Sequence, residues 1–308
     1  MHTAWSDLPD AVRDQVVWEV GPVVDARDVT VGRNSDLAVG LRTSNGRVFV
    51  KAVRGRSRRM RWLRNEVVAG RVAKGISPAV TFHADIGDWF VVGFEHFDGR
   101  PADLAPGSPD LPAVADVVNR IGEVEAGGLR SLADRWSDTD WWSRLSGTRP
   151  EVVDGWDVDA ATRLSARIPG LVAGDSLVHT DLHGNQVLLG DDGAVRVVDW
   201  GLPASGARWV DPTMIVLRLI EAGHDAADAE RWARSALPSF AEADDETVTA
   251  FACYLAGLWT FWAVDSPGPG VVHRAVLARH YLRYRLLGNA SANGAMPIRR
   301  GFGTEDEG

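Results

Sequence analysis

One stretch limits the fold of this chain more than any other. It is Leu177-Val-His-Thr-Asp-Leu-His-Gly-Asn-Gln-Val-Leu-Leu189, followed closely by Val195-Arg-Val-Val-Asp-Trp-Gly201. Two carboxylates, two histidines and two carboxamides are crowded between apolar runs. Leu177-Val178 and residues 186–189 read as short buried strands, and 194–198 as a third. Asp191-Asp-Gly193 supplies a hairpin turn of the Asp-Gly kind. Residues 179–185 then form a loop at the mouth of a small sheet, with Asp199 at the end of the return strand. Burying unpaired charge is costly, so a loop this polar between buried strands needs a reason.

The spacing offers one. His179, Asp181, Gln186 five positions beyond it, and Asp199 after an apolar strand match the kinase pattern. In that pattern the first Asp accepts the acceptor hydroxyl proton, while an amide and the second Asp hold magnesium against nucleotide phosphates. Turn-forming Asp and Asn satisfied by their own backbone would give a similar loop. The pattern becomes specific only if the other parts of a kinase lie upstream in the right order.

They do. Pro9 to Glu19 reads as a short amphipathic helix. Val29-Thr-Val31, Leu37 to Leu41 and Arg47 to Lys51 read as strands, and Asn45-Gly46 between the last two is a hairpin signal. The polar loop Gly32-Arg-Asn-Ser35 offers backbone N–H groups to a phosphate, although with one Gly an ordinary hairpin fits equally. Lys51 ends its strand where a kinase has the lysine that reaches the nucleotide phosphates. Residues 57–73 follow as a helix with Ser57 as N-cap. Glu66 lies at its centre beside Leu63, Val67 and Val68, placed to pair with Lys51. Pro78 to Ile86 and Trp89 to Phe94 read as two more strands, and Glu95, His96 and Phe97 begin a connector whose backbone would meet a nucleobase. Beyond Pro112 the chain turns mostly helical.

Composition sets the remaining bounds. The chain has 308 residues, 45% of them hydrophobic, enough for a sizeable core. A formal charge of -9 argues against a nucleic-acid partner and is compatible with a cationic small molecule. Arg54, Arg56, Arg58, Arg59, Arg61 and Arg64 concentrate positive charge near one helix, and in so acidic a chain they read as a solvated face rather than a phosphate contact. The single Cys253 fits a reducing compartment, and the N-terminus shows no secretion signal, so a cytoplasmic protein is expected. Residues 247–264 are uncharged and long enough to span a membrane, but Asp244-Asp-Glu246 before them suits the N-terminus of a buried helix better. Residues 134–159 interleave acidic groups with tryptophans, and Asp140, Trp141 and Trp142 are candidate contacts for a cationic, sugar-like or ring-bearing acceptor. Helix caps and core tryptophans would read the same way.

Together, His179-Thr-Asp-Leu-His183, Val197-Val-Asp-Trp-Gly201 and Val210-Asp-Pro212 resemble the motifs of the aminoglycoside phosphotransferase family, with Lys51, Glu66 and the connector in matching order. The resemblance spans about residues 25–287. It implies an α+β, protein-kinase-like bilobal fold: a small β-rich N-terminal lobe with one main helix (1–94), a hinge (95–99), a larger mostly helical C-terminal lobe (100–288) and a flexible tail (289–308). It implies transfer of a phosphoryl group from ATP or another nucleoside triphosphate, with Mg2+, to a small-molecule hydroxyl. Carried over by residue, Asp181 is the catalytic base and Asp199 a metal ligand. Lys51 and Glu66 form the phosphate-binding pair, with Ser35, Glu95, His96 and Phe97 around the nucleotide. His179 and Asp211 brace the loop. At the metal amide the chain departs from the family, which has Asn five residues after the base. Here Gln186 holds that place and is the expected metal ligand beside Asp199, with Asn185 just before it as the alternative. Lost metal binding would instead make the chain a nucleotide-binding pseudokinase with a regulatory role.

Overall fold

The computed structural model describes residues 3–29 and 34–293. The first half contains α1 (Asp10–Val20), β1 (Val23–Asp28), β2 (Leu37–Thr43), β3 (Gly46–Arg54), α2 (Arg58–Val72), β4 (Val80–Ile86) and β5 (Trp89–Glu95). The five strands form one antiparallel sheet in the order β1-β2-β3-β5-β4. Strand alternation decides which helix each side chain meets. Val48, Val50 and Ala52 of β3 and Trp89 and Val91 of β5 share a cluster with Leu8, Val12 and Val16 at α1. The intervening Val53, Phe90, Val92 and Phe94 join Leu63 and Val67 of α2 on the opposite face. Lys51 has the parity of Val53, so it projects toward α2. Ser57 caps that helix, its side chain accepting from Met60 N–H at 3.2 Å.

The first strand lies earlier than expected, at Val23–Asp28. Thr30 and Val31 of the expected strand, and Gly32 and Arg33 of the phosphate-loop candidate, lie outside the described residues. The arginines near α2 behave as a solvated face: Arg54 pairs with Asp88 at 2.7 Å, Arg59 with Asp36 at 2.7 Å, and Arg64 with Asp85.

The second half follows as β6 (Arg100–Pro101), α3 (Leu111–Gly122), α4 (Leu132–Arg135), α5 (Trp141–Thr148), α6 (Val158–Ser165), α7 (Ile168–Leu171), β7 (Ser176–Val178), β8 (Val187–Leu189), β9 (Val195–Val197), β10 (Ala204–Gly206), α8 (Val210–Glu221), α9 (Ala226–Ala236), α10 (Pro238–Glu242), α11 (Asp245–Asp265) and α12 (Pro269–Asn293). Its strands are short: β6-β8-β9 form one antiparallel sheet and β7 pairs with β10. These small sheets lie against the helical core and hold the polar loop between them.

α11 is the one described helix long and apolar enough to cross a membrane, and 78% of its most apolar window is buried inside the fold. Asp244 caps it, accepting from Thr247 N–H at 2.6 Å. Two boundaries differ from expectation. α8 begins at Val210, so Pro212 sits inside its first turn, where a missing N–H costs no helical bond. α12 runs to Asn293, so residues 289–293, expected as tail, continue a helix.

Candidate active site

The loop between β7 and β8 is fixed from below by one carboxylate. Asp211, 1% exposed at the start of α8, accepts from His179 N–H at 2.6 Å and Thr180 N–H at 2.8 Å. Burial pushes the Asp211 pKa up, opposed by His179 and these two N–H donors. His179 is fully buried against Trp200, with ring centroids 4.6 Å apart. Its Nδ1 accepts from Asp181 N–H at 3.4 Å, which leaves Nε2 carrying the proton it donates to Val198 O at 3.1 Å. Thr180 has φ 66° and Asp199 φ 61°, the two described non-glycine residues in the left-handed region. Such backbone persists only where the surroundings over-determine it, and here Asp211, Arg135 and Lys51 do so. Arg135 donates to Thr180 Oγ1 at 2.8 Å and to Leu202 O at 2.8 Å.

Above the loop, Lys51 joins both halves of the chain. Its Nζ lies 2.8 Å from Glu66 Oε2 and also bonds Asp199 Oδ1. Burial alone would lower the Lys51 pKa, but Asp199 and Glu66 together raise it above its ordinary value. One ammonium is shared by two carboxylates, and the two respond oppositely. Lys51 holds Asp199 below the usual carboxylate range, whereas burial, with Asp199 nearby, raises Glu66.

This triad lines a cavity of about 890 Å³ between the five-stranded sheet and the loop. Ser35, Glu95, His96 and Phe97 line it too, with Ala38 and Phe94 on the sheet side and Leu188 opposite. Glu95 N–H donates to Ala79 O at 2.7 Å, and Arg47 lies 3.1 Å from His96 Nε2, so the connector is held on both sides.

The two carboxamides separate. Gln186 is 4% exposed and its Oε1 accepts from His183 N–H at 3.2 Å, closing a capping box around the turn Gly184–Gln186. Gln186 does not line the cavity, whereas Asn185 does, together with Asp199. The turn is tight because Gly184 passes close to the neighbouring chain: a Cβ there would meet Ala102 O at 2.6 Å.

A second cavity of about 410 Å³ opens on the far side of Asn185. His183, Arg218, Glu221, His273 and Arg274 line it. Asp181 is not among the residues lining it but touches two that are, its Oδ1 3.4 Å from Arg218 Nη2 and 3.2 Å from Arg274 Nη2. Arg218 and Arg274 were not singled out from the sequence. Arg218 had a signal, a lone cation within Val210-Asp-Pro-Thr-Met-Ile-Val-Leu-Arg-Leu-Ile-Glu221, two turns after Asp211 and so on its face. Arg274, on α12, has no pattern that links it to the loop.

The acidic, Trp-rich stretch does not reach either cavity. Asp140 is exposed and pairs with Arg144 at 2.9 Å, as does Asp138 at 2.9 Å. Trp141 packs on Phe261 at 5.1 Å between centroids, and Trp142 is fully buried, donating from Nε1 to Cys253 O at 2.9 Å. A Cβ on Gly257 would lie 2.6 Å from Trp142 Nε1, so the indole rests directly on α11. Asp140 is therefore a surface residue and Trp141 and Trp142 are core residues, because their helix turns its aromatic face toward α11.

No protein-family model and no curated protein matches the chain. Solved structures do. A thermostable mutant of aminoglycoside phosphotransferase APH(4)-Ia in a ternary complex with ADP and hygromycin B superposes with a TM-score of 0.64 at 15% identity, covering 93% of this chain and 100% of that one. The chain adopts the protein-kinase-like fold. Choline kinase LicA from Streptococcus pneumoniae shares this kinase-like fold with a TM-score of 0.63 at 14% identity, covering 89% of this chain and 98% of that one. For a putative fructosamine-3-kinase from Haemophilus somnus the TM-score is 0.57 at 11% identity, with 88% and 97% covered.

Proposed function

We propose that this chain is a phosphotransferase that moves the γ-phosphoryl group of ATP, or another nucleoside triphosphate, to a hydroxyl of a small molecule. One observation carries the reading. Lys51, Glu66 and Asp199 meet in one cavity, Asp181 contacts Arg218 and Arg274 in the wall of another, and Asn185 lines both. Structures with this fold that hold ADP and AMP-PNP support a nucleotide in the larger cavity. There, Ala38 and Leu188 would enclose the base, residues 95–97 its edge, and Lys51 the phosphates.

The donor set fits magnesium. Among the described residues no group of three or more His, Cys, Asp or Glu could hold a metal. Magnesium commonly takes only one or two protein oxygens and completes its shell with phosphates and water. The triad of one cation and two anions also leaves a negative charge beside Asp199 for a divalent ion to offset. Asp199 and Asn185 would hold it, while Gln186 keeps the loop closed. When bound, the ion would supply positive charge to offset the charge that develops on the transferring phosphoryl group. Asp181 accepts the hydroxyl proton as the acceptor oxygen attacks phosphorus, and His179 and Asp211 hold Asp181 in place. The chemistry is largely positioning.

The test is Asp181→Asn. Acid–base help of this kind contributes about 10²–10⁴-fold, and kcat should fall by that factor with nucleotide affinity unchanged. A near-normal kcat removes Asp181 from the role. A nucleotide-binding pseudokinase is the second reading, favoured by the engagement of Gln186 with the loop backbone. ATP binding without ADP release for any acceptor would select it.

A further inference from the structure

The acceptor side of Asp181 is built from cations. Arg218 is 4% exposed, and its Nε is sealed from solvent with no hydrogen-bond partner among the described residues. Its Nη1 lies 3.0 Å from Glu221 Oε2 and its Nη2 lies 3.4 Å from Asp181 Oδ1. Arg274 approaches the same Asp181 oxygen at 3.2 Å, and His183 and His273 complete the wall. Burial, followed by Arg274, pushes the Arg218 pKa below its ordinary value, against the pull of Asp181 and Glu221. The carboxylate facing the same space is already engaged. Glu221 gives one oxygen to Arg218 and places the other 2.9 Å from His273 Nε2.

We infer that the acceptor is an anionic alcohol: a small molecule with an oxyanion group a few bonds from the hydroxyl, bound by Arg218 and Arg274. The inference rests on the phosphotransferase reading and deepens it. Both guanidinium groups line the cavity, so an oxyanion entering it can reach them, whereas the sealed Nε of Arg218 is not the atom it would meet. The two contacts to Asp181 are long beside the roughly 2.7–2.9 Å of tight charge-assisted bonds. An incoming oxyanion can therefore take over both guanidinium groups and release Asp181 for the hydroxyl. Of the carboxylates at this cavity, an ammonium group would find Glu221, already paired, and Asp181, needed for the proton. This reverses the expectation of a cationic acceptor drawn from net charge. In the reaction the acceptor oxygen forms the new P–O bond, its proton passes to Asp181, and the bond to the β-phosphate oxygen breaks. The products are the phosphate ester of the acid and the nucleoside diphosphate.

The test uses the full chain with Mg·ATP and six probes: glycerate and gluconate as carboxylates, glycerol 3-phosphate as a phosphate ester, and glycerol, choline and an aminoglycoside as neutral or cationic counterparts. ADP release gives KM for each probe, and thermal shift gives binding without turnover. The expected result is that an acid-bearing probe has a KM at least tenfold below its neutral counterpart. Whether glycerate or glycerol 3-phosphate responds identifies the oxyanion. Arg274→Gln, at a half-exposed position, should raise that KM at least tenfold and abolish the thermal shift, and Arg274→Lys should restore part of both. An acid that shifts wild type but not Arg274→Gln supports the site even without turnover. Preference for glycerol, choline or the aminoglycoside overturns the inference, as does absence of any acid response in a protein that binds Mg·ATP. Failure to bind Mg·ATP overturns instead the phosphotransferase reading beneath it.

Discussion

Replacing Lys51 by Met asks whether the buried triad is one electrostatic unit. Lys51 and Glu66 side chains are 12% and 9% exposed, so their 2.8 Å pair is barely screened by solvent. Asp199 is 38% exposed, and its share is left out of the magnitude. Removing one partner of a buried pair strands the other charge, at a cost of about 3–5 kcal/mol. The stranded group is Glu66, whose pKa burial already raises above 4.5. A carboxyl with a folded pKa above its unfolded value binds its proton more tightly in the native state. The protein is then most stable below the unfolded pKa and loses stability as pH rises through the folded one. Lys51→Met should therefore be destabilised far more at about pH 8 than at about pH 5. Adding Glu66→Gln removes the stranded charge and should return on the order of 1–3 kcal/mol. Urea unfolding of wild type, both single variants and the double variant at the two pH values measures the cycle. A loss below about 1 kcal/mol, the range of exposed pairs, would refute the argument. So would a pH-independent loss or strict additivity.

Four further outcomes are expected. Asn185→Ala should raise the magnesium needed for half-maximal ATP binding about tenfold or more, as loss of an oxygen ligand does in a site that tolerates misplacement poorly. Gln186→Ala should instead lower stability by about 1 kcal/mol with a smaller change in metal requirement, and the reverse ranking in nucleotide titrations would restore Gln186 as the ligand. Asp211→Ala orphans the His179 and Thr180 N–H groups and should cost about 2–5 kcal/mol in urea unfolding, with kcat falling because the loop relaxes; a stable, active variant refutes the brace. Trp142→Ala should destabilise by about 3–5 kcal/mol as a core cavity, whereas a large KM change with unaltered stability would return it to the substrate site.

Periodicity and spacing carried much of the architecture. Alternation in Val48-Phe-Val-Lys51 set the face of Lys51, and the run Leu63 to Val67 set that of Glu66, so their meeting was readable from two local patterns. The loop from His179 to Asn185 was equally legible, since a polar cluster between apolar strands demands partners and Asp211 provides them. What local pattern could not convey was the direction of a side chain within a turn. Asn185 and Gln186 are adjacent carboxamides of similar chemistry, and only the capping box at His183 distinguishes them. The tryptophans misled for a related reason: an acidic and aromatic composition is the same whether the rings face a ligand or α11. Gly257, more than a hundred residues away, decides it.

Charge is where the whole-chain view and the site part most sharply. A formal -9 spread over 308 residues describes a surface. Exposed carboxylates such as Asp138 and Asp140 are paired with Arg144 and screened by salt over about 8–10 Å, so they project little field into a distant cavity. Arg218 is different because it is buried on α8, where the dielectric is low and its Nε has no partner among the described residues. On the proposal of an anionic acceptor, a buried cation outweighs many solvated anions in setting what can bind beside Asp181. It does so from the helix on which Asp211 sits, so the element that braces the loop at His179 also carries a charge lining the second cavity. That coupling argues against moving either residue independently: a shift of α8 that spoils the Asp211 contacts to His179 and Thr180 would displace Arg218 from the second cavity as well.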